Sequence, residues 1–581
     1  MRQQVQAIFS ATLARCVAQG VLPAVTNAQV QVDAPKQAAH GDWATNLALV
    51  IQKQVGKPPR AIAELLVANL VDPAHVIARC EIAGPGFINV TLDPGVWFRA
   101  LEPVLREPSA FGQSADGQGE TVLVEFVSAN PTGPMHVGHG RGAVVGDVLC
   151  NLLQNAGYQV SREYYINDAG GQVKVLGRSV HIRYQQLFGR EVALGEKMYP
   201  GEYVRDIAQA LKAKFGDAYL DAPEAEWLAP FTDFAMDTVL AMIRSDLDAF
   251  GIRFDRWFSE RAELHQTQAV QKAIAFLQEK GLVFRGTLPA PKGKDPGDYE
   301  AREQLLFRST AFGDDQDRGL QKSDGSYTYF AGDIAYHQNK LARGFHTLIN
   351  IWGADHAGAV ARLEAAVQAF SGRDDALELV LIQMVNLFRN GEPVRMGKRS
   401  GNFVALREVL DEAGRDATRF FFVMRAASTT LDFDLALARK QSADNPVFYV
   451  QYGHARIASI LRKAQTEGLP APAFNLGDLS ALTRPEELAL IKRLLDWPEV
   501  VAGAARAREP HRVVFYLQEL IAGFHSYYTL GKREGFRILG TEPANRGRMQ
   551  LCLALQTVLR NGLGVLGVSA PEQMSQPGEE E

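Results

Sequence analysis

The stretch His136-Val137-Gly138-His139 carries residue types at a spacing that can do chemistry. Two imidazoles three residues apart fall on one side of a helical turn, and the glycine between them lets the backbone approach a ligand. Imidazoles can donate to phosphate oxygens, move protons or ligate a metal. On residues alone the readings stay open: a phosphate site, half of a metal site, or a solvated helix end. The metal reading lacks a Cys-x-x-Cys or Glu-x-x-His partner nearby, whereas a structural zinc takes four ligands.

The elements that must position these side chains follow from the pattern on either side. Val122 to Val127 is an apolar run with the spacing of a buried strand. Asn130-Pro131 and Gly133-Pro134 then forbid regular structure. From Val137 the residues Val144, Val145, Val148, Leu149, Leu152 and Leu153 recur at helical spacing until Gly157, which suits a left-handed terminator. Gln159 to Ile166 reads as the next strand. Strand, turn, helix and strand make a βαβ unit of the doubly wound type, and its helix N-terminus is an anion site. A second candidate is the basic loop Val394-Arg395-Met396-Gly397-Lys398-Arg399-Ser400-Gly401-Asn402. Its glycines permit movement, and a flexible ammonium at Lys398 suits a loop that closes on a departing anion.

The chain has 581 residues, more than one core accommodates, so two to four domains are expected. A composition 46% apolar and 22% charged is that of a soluble globular protein. Net charge −5 and a pI near 6.2 exclude a generically basic nucleic-acid coat, so any RNA contact is local. Cys16, Cys80, Cys150 and Cys552 are far apart and form no disulfide framework. With no signal-like start and no long apolar run, a cytoplasmic location without membrane attachment is expected.

Residues 1–112 read as a small α+β module, and Ser109 to Glu120, rich in Gly, Ser and Gln, as a linker. Residues 113–435 read as an α/β domain with a Rossmann-like doubly wound parallel sheet, interrupted by insertions over about 174–318. The sheet is expected to resume at Phe345 to Trp352, with Leu379 to Phe388 as a further buried run. From about Leu431 no strand is evident, and residues 436–574 read as an all-α helical bundle, with a disordered tail at 575–581.

Taken in order, His136-Val137-Gly138-His139 and Arg395-Met396-Gly397-Lys398-Arg399 resemble the two signatures of class I aminoacyl-tRNA synthetases, the second usually being Lys-Met-Ser-Lys-Ser. Arg395 and Gly397 depart from that form, and Lys398 keeps its second lysine. Further stretches make the resemblance specific to bacterial arginyl-tRNA synthetases: Val124 to Pro134, Glu163 to Gly170, Phe254 to Glu260, Tyr327 to His337 and Tyr449 to Arg456.

The resemblance implies ATP-dependent activation of L-arginine to an adenylate, with Mg2+ accompanying the nucleotide, followed by transfer to the 3′ end of tRNA(Arg). It implies no tightly bound cofactor, no metal site of the protein's own, no editing domain and a monomer. His136, His139 and Lys398 would be catalytic, with Pro131, Gly133, Gly138 and Met396 also at ATP. A guanidinium is planar and always charged, so it needs fixed carboxylate and carbonyl acceptors. By resemblance Asp333 with Tyr329 would take that group, and Glu125, Ser128, Asn130 and Asp355 the α-amino and carboxylate groups. Phe87 and Asn89 match positions that read a D-loop base, and Tyr449, Gln451, Tyr452 and Arg456 would face the anticodon. Two other classes stay open. A nucleotidyl transferase for a small metabolite would use both signatures but leave the flanking domains without work, and a silent RNA-binding relative should have lost motif residues.

Overall fold

The computed structural model describes residues 1–35, 37–288, 302–394 and 404–575. The chain packs as two compact units, each assembled from distant segments. Met1–Pro108, Leu461–Leu495 and Tyr527–Leu555 form the first, and Ser109–Ile460, Asp496–Ser526 and Gln556–Glu581 the second.

In the first unit a four-stranded antiparallel sheet runs in the order Val32–Asp33, Trp43–Thr45, Phe87–Leu92, Ile77–Ala83. Helices Arg2–Ala18, Leu47–Val55 and Pro59–Ala68 accompany it. Val5, Phe9, Ile51, Ile62, Leu66, Ile88 and Val90 are buried in this unit. The turn that joins the last two strands in sequence needs Gly86 (φ +148°), because a Cβ there would meet the Pro59 carbonyl carbon at 2.8 Å. The helix Pro485–Leu495 belongs to the same unit: Lys492 pairs with Asp42 and holds its ammonium 5.4 Å from the Trp97 ring centre.

The second unit is organised by a five-stranded parallel sheet. Its strands are β1 (Thr121–Glu125), β2 (Gln159–Ile166), β3 (Arg256–Ser259), β4 (Thr347–Gly353) and β5 (Leu377–Ile382), in the order β5-β4-β1-β2-β3. Helix α1 (Val137–Asn155) links β1 to β2, and helix α2 (Tyr329–Ala342) precedes β4. Strand order reverses between β1 and β4, the place where doubly wound sheets bind ligands beyond their carboxyl ends. Val122, Leu123 and Val124 are fully buried, as strands covered on both faces must be. Gly146 on α1 permits close packing, since a Cβ would stand 2.4 Å from the Phe126 ring.

Four expectations need correction. The sheet resumes at Arg256, inside the span read as insertion; a four-residue edge strand is too short to show a period. The buried run from Leu379 to Phe388 is two strands: β5, and Val385–Arg389, which pairs with Glu392–Pro393 and with Leu431–Asp434. That last pairing also places a parallel strand at Leu431, where none was expected. Ser109 to Glu120 is no free linker: the Trp497 indole donates to the Phe111 carbonyl at 3.2 Å, and a Cβ on Gly117 would collide with Tyr158 at 2.5 Å.

Within the remaining insertion, helices Gly171–Leu187, Glu202–Phe215 and Glu224–Ala249 are followed by a three-stranded antiparallel sheet of Val283–Gly286, Gln304–Phe307 and Arg318–Gln321. From Pro446–Thr466 (α3) the described chain is helical to Leu566. No helix among the described residues is long and apolar enough to cross a membrane. The expected tail lies outside the described residues from 576 onward.

Candidate active site

Beyond β1 the chain turns sharply. Val127 and Ser128 have left-handed backbones (φ +69° and +39°), and Ser128 N–H donates to Phe126 O at 3.0 Å across a three-residue turn. A β-branched residue there is a true outlier costing on the order of 1–3 kcal/mol, which surrounding contacts must offset. They do: Tyr165 N–H donates to Ser128 Oγ at 3.1 Å, and the Tyr164 hydroxyl to Ala129 O at 2.9 Å. Further on, the Tyr203 hydroxyl from an insertion helix donates to Thr132 O at 2.7 Å and stands where a Cβ on Gly133 would approach it to 3.0 Å. Pro131 is buried in this loop, while Asn130 is exposed and accepts from Asn167 Nδ2 at 3.2 Å.

The loop delivers His136 to the N-cap of α1. His136 Nδ1 accepts from Gly138 N–H at 3.1 Å, and His139 Nδ1 accepts from His136 N–H at 3.2 Å, a reciprocal capping box made of imidazoles. The rings stack with centres 3.7 Å apart. Because each Nδ1 lone pair faces an amide hydrogen, the neutral ring carries its proton on Nε2. Both side chains are thereby set as donors at the positive end of α1, which fits phosphate oxygens. A metal would need an Nε2 lone pair, so this pair is not half of a metal site, and no cluster of His, Cys, Asp and Glu among the described residues could hold an ion. Met396 and Lys398 lie outside the described residues. The chain re-enters beside the histidines, where Ala405 pairs with His136 and Leu406 N–H donates to Met135 O at 2.9 Å.

Glu125, Asp333 and Glu260 form a group of carboxylates that act on one another. Glu125 ends β1, buried, with one oxygen accepting from Ser128 Oγ at 3.0 Å and the other from Lys340 Nζ at 2.6 Å. Asp333, half-buried on α2, has no hydrogen bond or ion pair to its carboxylate among the described residues. Burial pushes its carboxyl up to about 7, with Glu125 and Glu260 adding in the same direction while Arg362 and Lys340 oppose. Burial likewise raises the Tyr165 hydroxyl, to which Glu260 is hydrogen-bonded. An unpaired carboxylate whose ionisation is suppressed by burial and by like charges is poised to receive a cation. Tyr329 shares the helix face of Asp333 one turn earlier and is 84% exposed, so its ring is open to a ligand. Asp355, in the turn after β4, is exposed, with its carboxylate 3.7 Å from the His356 ring nitrogen.

The other predicted residues fall into two further places. Phe87, at the start of its strand in the first unit, is exposed, while Asn89 two residues on is covered. On α3, Arg456 lies 4.7 Å over the Tyr452 ring and donates to its hydroxyl at 3.1 Å, and Tyr449 packs on His525 with ring centres 4.9 Å apart. Gln451 does not join them. It is buried, and its amide donates to Asp416 at 2.8 Å and to Ser569 O at 3.0 Å.

Sequence reasoning assigned no role to Glu260, Tyr165, Lys340, His337, Asn350 or His525. Glu260, Tyr165 and His337 stood in three of the matching stretches; Lys340 gave no local signal, since a lysine at helical spacing reads as solvated.

Comparison with known proteins fits this geometry. Three family models match in succession: arginyl tRNA synthetase N terminal domain over residues 3–92, tRNA synthetases class I (R), catalytic domain over 101–426, and DALR anticodon binding domain over 450–574. An arginine–tRNA ligase of Anaeromyxobacter sp. (strain Fw109-5) is 52% identical over 99% of this chain and 98% of its own. The chain belongs to the arginyl-tRNA synthetase family. Among solved structures, a putative arginyl tRNA synthetase from Campylobacter jejuni has a TM-score of 0.72 at 32% identity, covering 83% of this chain and all of its own. The arginyl-tRNA synthetase of Thermus thermophilus, at 24% identity, shares the fold with a TM-score of 0.73 over 99% of this chain and all of its own. In this arginyl-tRNA synthetase the imidazole-capped helix follows directly on the strand whose end carries Glu125, at the switch point of the sheet.

Proposed function

We propose that this chain is an arginine–tRNA ligase: it activates L-arginine with ATP to arginyl-adenylate and transfers the arginyl group to the 3′ end of tRNA(Arg). The observation that carries this reading is the half-buried carboxylate of Asp333, unpaired among the described residues and acted on by Glu125, the residue that ends the strand leading to the helix capped by His136 and His139. A guanidinium satisfies Asp333, with Tyr329 covering its plane, while Glu125, Ser128 and Asn130 face the α-amino and carboxylate groups, with Asp355 at the exposed rim. Pro131, Gly133 and Gly138 line the nucleotide, and the Nε2 donors of His136 and His139 meet its phosphates. Mg2+ enters with ATP, since the imidazoles suit phosphate oxygens and not a metal.

In the first step the arginine carboxylate attacks the α-phosphorus and pyrophosphate leaves. Charge grows on the phosphate oxygens, which the two imidazoles and Lys398 stabilise, Met396 lying on the same loop. The re-entry of the chain at Ala405 against His136 supports that role, because it brings the loop's end to the histidines. In the second step a ribose hydroxyl of the tRNA attacks the adenylate's carbonyl carbon, the acyl–phosphate bond breaks, and AMP leaves with the arginyl group now on the ribose. Phe87 and Asn89 contact the D-loop, and Tyr449, Tyr452 and Arg456 the anticodon, with Gln451 anchoring their helix from inside. The enzyme works as a monomer in the cytoplasm.

Arginine-dependent exchange of labelled pyrophosphate into ATP, measured with tRNA(Arg) present, tests the reading. Exchange with arginine and none with citrulline, which has the same shape without the charge, is expected. Exchange that ignores arginine would sink the reading and favour a nucleotidyl transferase for another metabolite.

A further inference from the structure

Helix α2 crosses the sheet over a row of polar side chains where a doubly covered parallel sheet is ordinarily apolar. Asn350 on β4, Glu125 on β1, Glu163 on β2 and Arg256 on β3 occupy matched register positions, so the row spans four strands at one level. Asn350, Glu125 and Glu163 are all buried, and buried polar groups need partners. The helix supplies them. Lys340, fully buried, places Nζ 2.6 Å from Glu125 and 2.9 Å from Asn350. The Tyr336 hydroxyl donates to Glu163 at 2.7 Å and Arg343 to the same carboxylate at 2.9 Å.

A chain of hydrogen bonds returns along the helix from this clamp. Asn350 Nδ2 donates to His337 Nε2 at 2.8 Å, and His337 Nδ1 donates to the Asp333 carbonyl at 2.7 Å. Asp333, His337 and Lys340 stand at i, i+4 and i+7, one stripe of α2, with Asp333 about 10 Å from Lys340 along the axis. One end of the stripe is thus tied to Glu125, and the other carries the carboxylate left unpaired among the described residues. A helix held at three charged or hydroxyl contacts cannot slide along the sheet, so the clamp sets the distance between Glu125 and Asp333.

We propose that this clamp measures the length of the substrate side chain, with Lys340 and Tyr336 as positioning residues: neither touches the amino acid, and both fix the spacing of the two carboxylates that hold its two cationic ends. The inference rests on the arginine reading above. A hydrophobic slot distinguishes one methylene by roughly 10–200-fold, whereas displacement of a reacting group by about 1 Å costs on the order of 100-fold in rate. Homoarginine, one methylene longer, keeps both charges and changes only the length. The fixed spacing therefore rejects it, and a loosened helix accepts it.

The test compares activation of arginine and homoarginine by the full chain, its Lys340→Met variant and its Tyr336→Phe variant, which keeps the ring and leaves Arg343 on Glu163. If the unaltered enzyme does not activate arginine, the arginine reading itself has failed. Given that activity, the expected result in Lys340→Met is a KM for arginine raised about tenfold or more, a KM for ATP within about twofold, and an arginine-to-homoarginine ratio of kcat/KM lowered about tenfold. In Tyr336→Phe the same ratio should fall about threefold or more. Should Lys340→Met fail to fold, the Tyr336→Phe ratio decides alone. A ratio that falls by less than that threefold in every folded variant, however much activity is lost, overturns the proposal and leaves the clamp a stabilising contact only.

Discussion

His136 and His139 stack ring on ring, 3.7 Å between centres, while the ring nitrogen of each accepts an amide hydrogen from the first turn of one helix. The arrangement performs two tasks with one pair of side chains. It satisfies two of the free N–H groups of α1, and it fixes both imidazoles as Nε2 donors toward whatever binds at that helix end.

These tasks separate by mutation. His139→Ala removes a donor needed as phosphate charge develops, so kcat for adenylate formation should fall by roughly 10²–10³-fold with little change in the KM for ATP. His136→Ala should show that loss together with about 1 kcal/mol of stability, because the N-cap goes too. His136→Asn keeps a capping acceptor and should recover the stability without the rate. Thermal melts alongside pyrophosphate exchange measure both. A His136→Asn enzyme with full activity would remove the imidazole from the chemistry.

How legible this site was follows from how local its parts are. The histidine motif, the strand before it and the helix after it are contiguous, so periodicity and turn residues place them within a residue or two. Lys340 gave no signal for the opposite reason: it is a buried cation whose carboxylate partner, Glu125, lies on a strand remote in sequence. The strands Arg256–Ser259 and Leu431–Asp434 were missed because four residues cannot declare a period, although Leu-Asp-Phe-Asp does alternate. The glycines of Ser109 to Glu120 resembled flexible punctuation. Gly112 and Gly117 are instead where Trp497 and Tyr158 press on the backbone.

Lys398→Ala should lower the rate of adenylate formation far more than it raises the KM for ATP or arginine, because the ammonium is needed as pyrophosphate departs. Single-turnover kinetics separates the effects. Retained turnover with weakened ground-state ATP binding would assign Lys398 to binding instead.

The first unit makes a different prediction from the one a separable N-terminal module suggests. Met1–Pro108 packs with Leu461–Leu495 and Tyr527–Leu555, and Lys492 pairs with Asp42, so deleting the first 108 residues should destabilise the helices that share its unit. Phe87→Ala is the cleaner probe, because the ring is exposed and its loss should change stability by about 0.5 kcal/mol or less. If the ring stacks on a base, the KM for tRNA should rise roughly tenfold, with arginine and ATP unaffected. Asn89→Ala, at a covered strand position, mixes both effects. An unchanged KM for tRNA in Phe87→Ala would remove this face from recognition.

Asp333 links acidity, stability and selection. Burial holds its carboxyl near 7, above its value in the unfolded chain, so the folded state binds that proton more tightly. Between about pH 4 and 7 the folded chain keeps a proton that the unfolded chain releases, and stability from this group falls as pH rises, the loss being complete above about 7. Asp333→Asn should therefore melt higher than the unaltered enzyme at pH 8 and no higher at pH 4. Arginine needs the ionised form, so kcat/KM for arginine should drop about tenfold per unit below pH 7, and arginine binding should release a proton there. In Asp333→Asn that acid limb disappears and arginine activation falls by roughly 30- to several-thousand-fold, the cost of about 2–5 kcal/mol for a buried cation left unpaired. ATP binding survives, since His136 and His139 are untouched. A variant that melts higher at pH 8 yet charges arginine normally would show that Asp333 is strained by burial without receiving the guanidinium, and the arginine pocket would have to be sought around Glu125 and Glu260 instead.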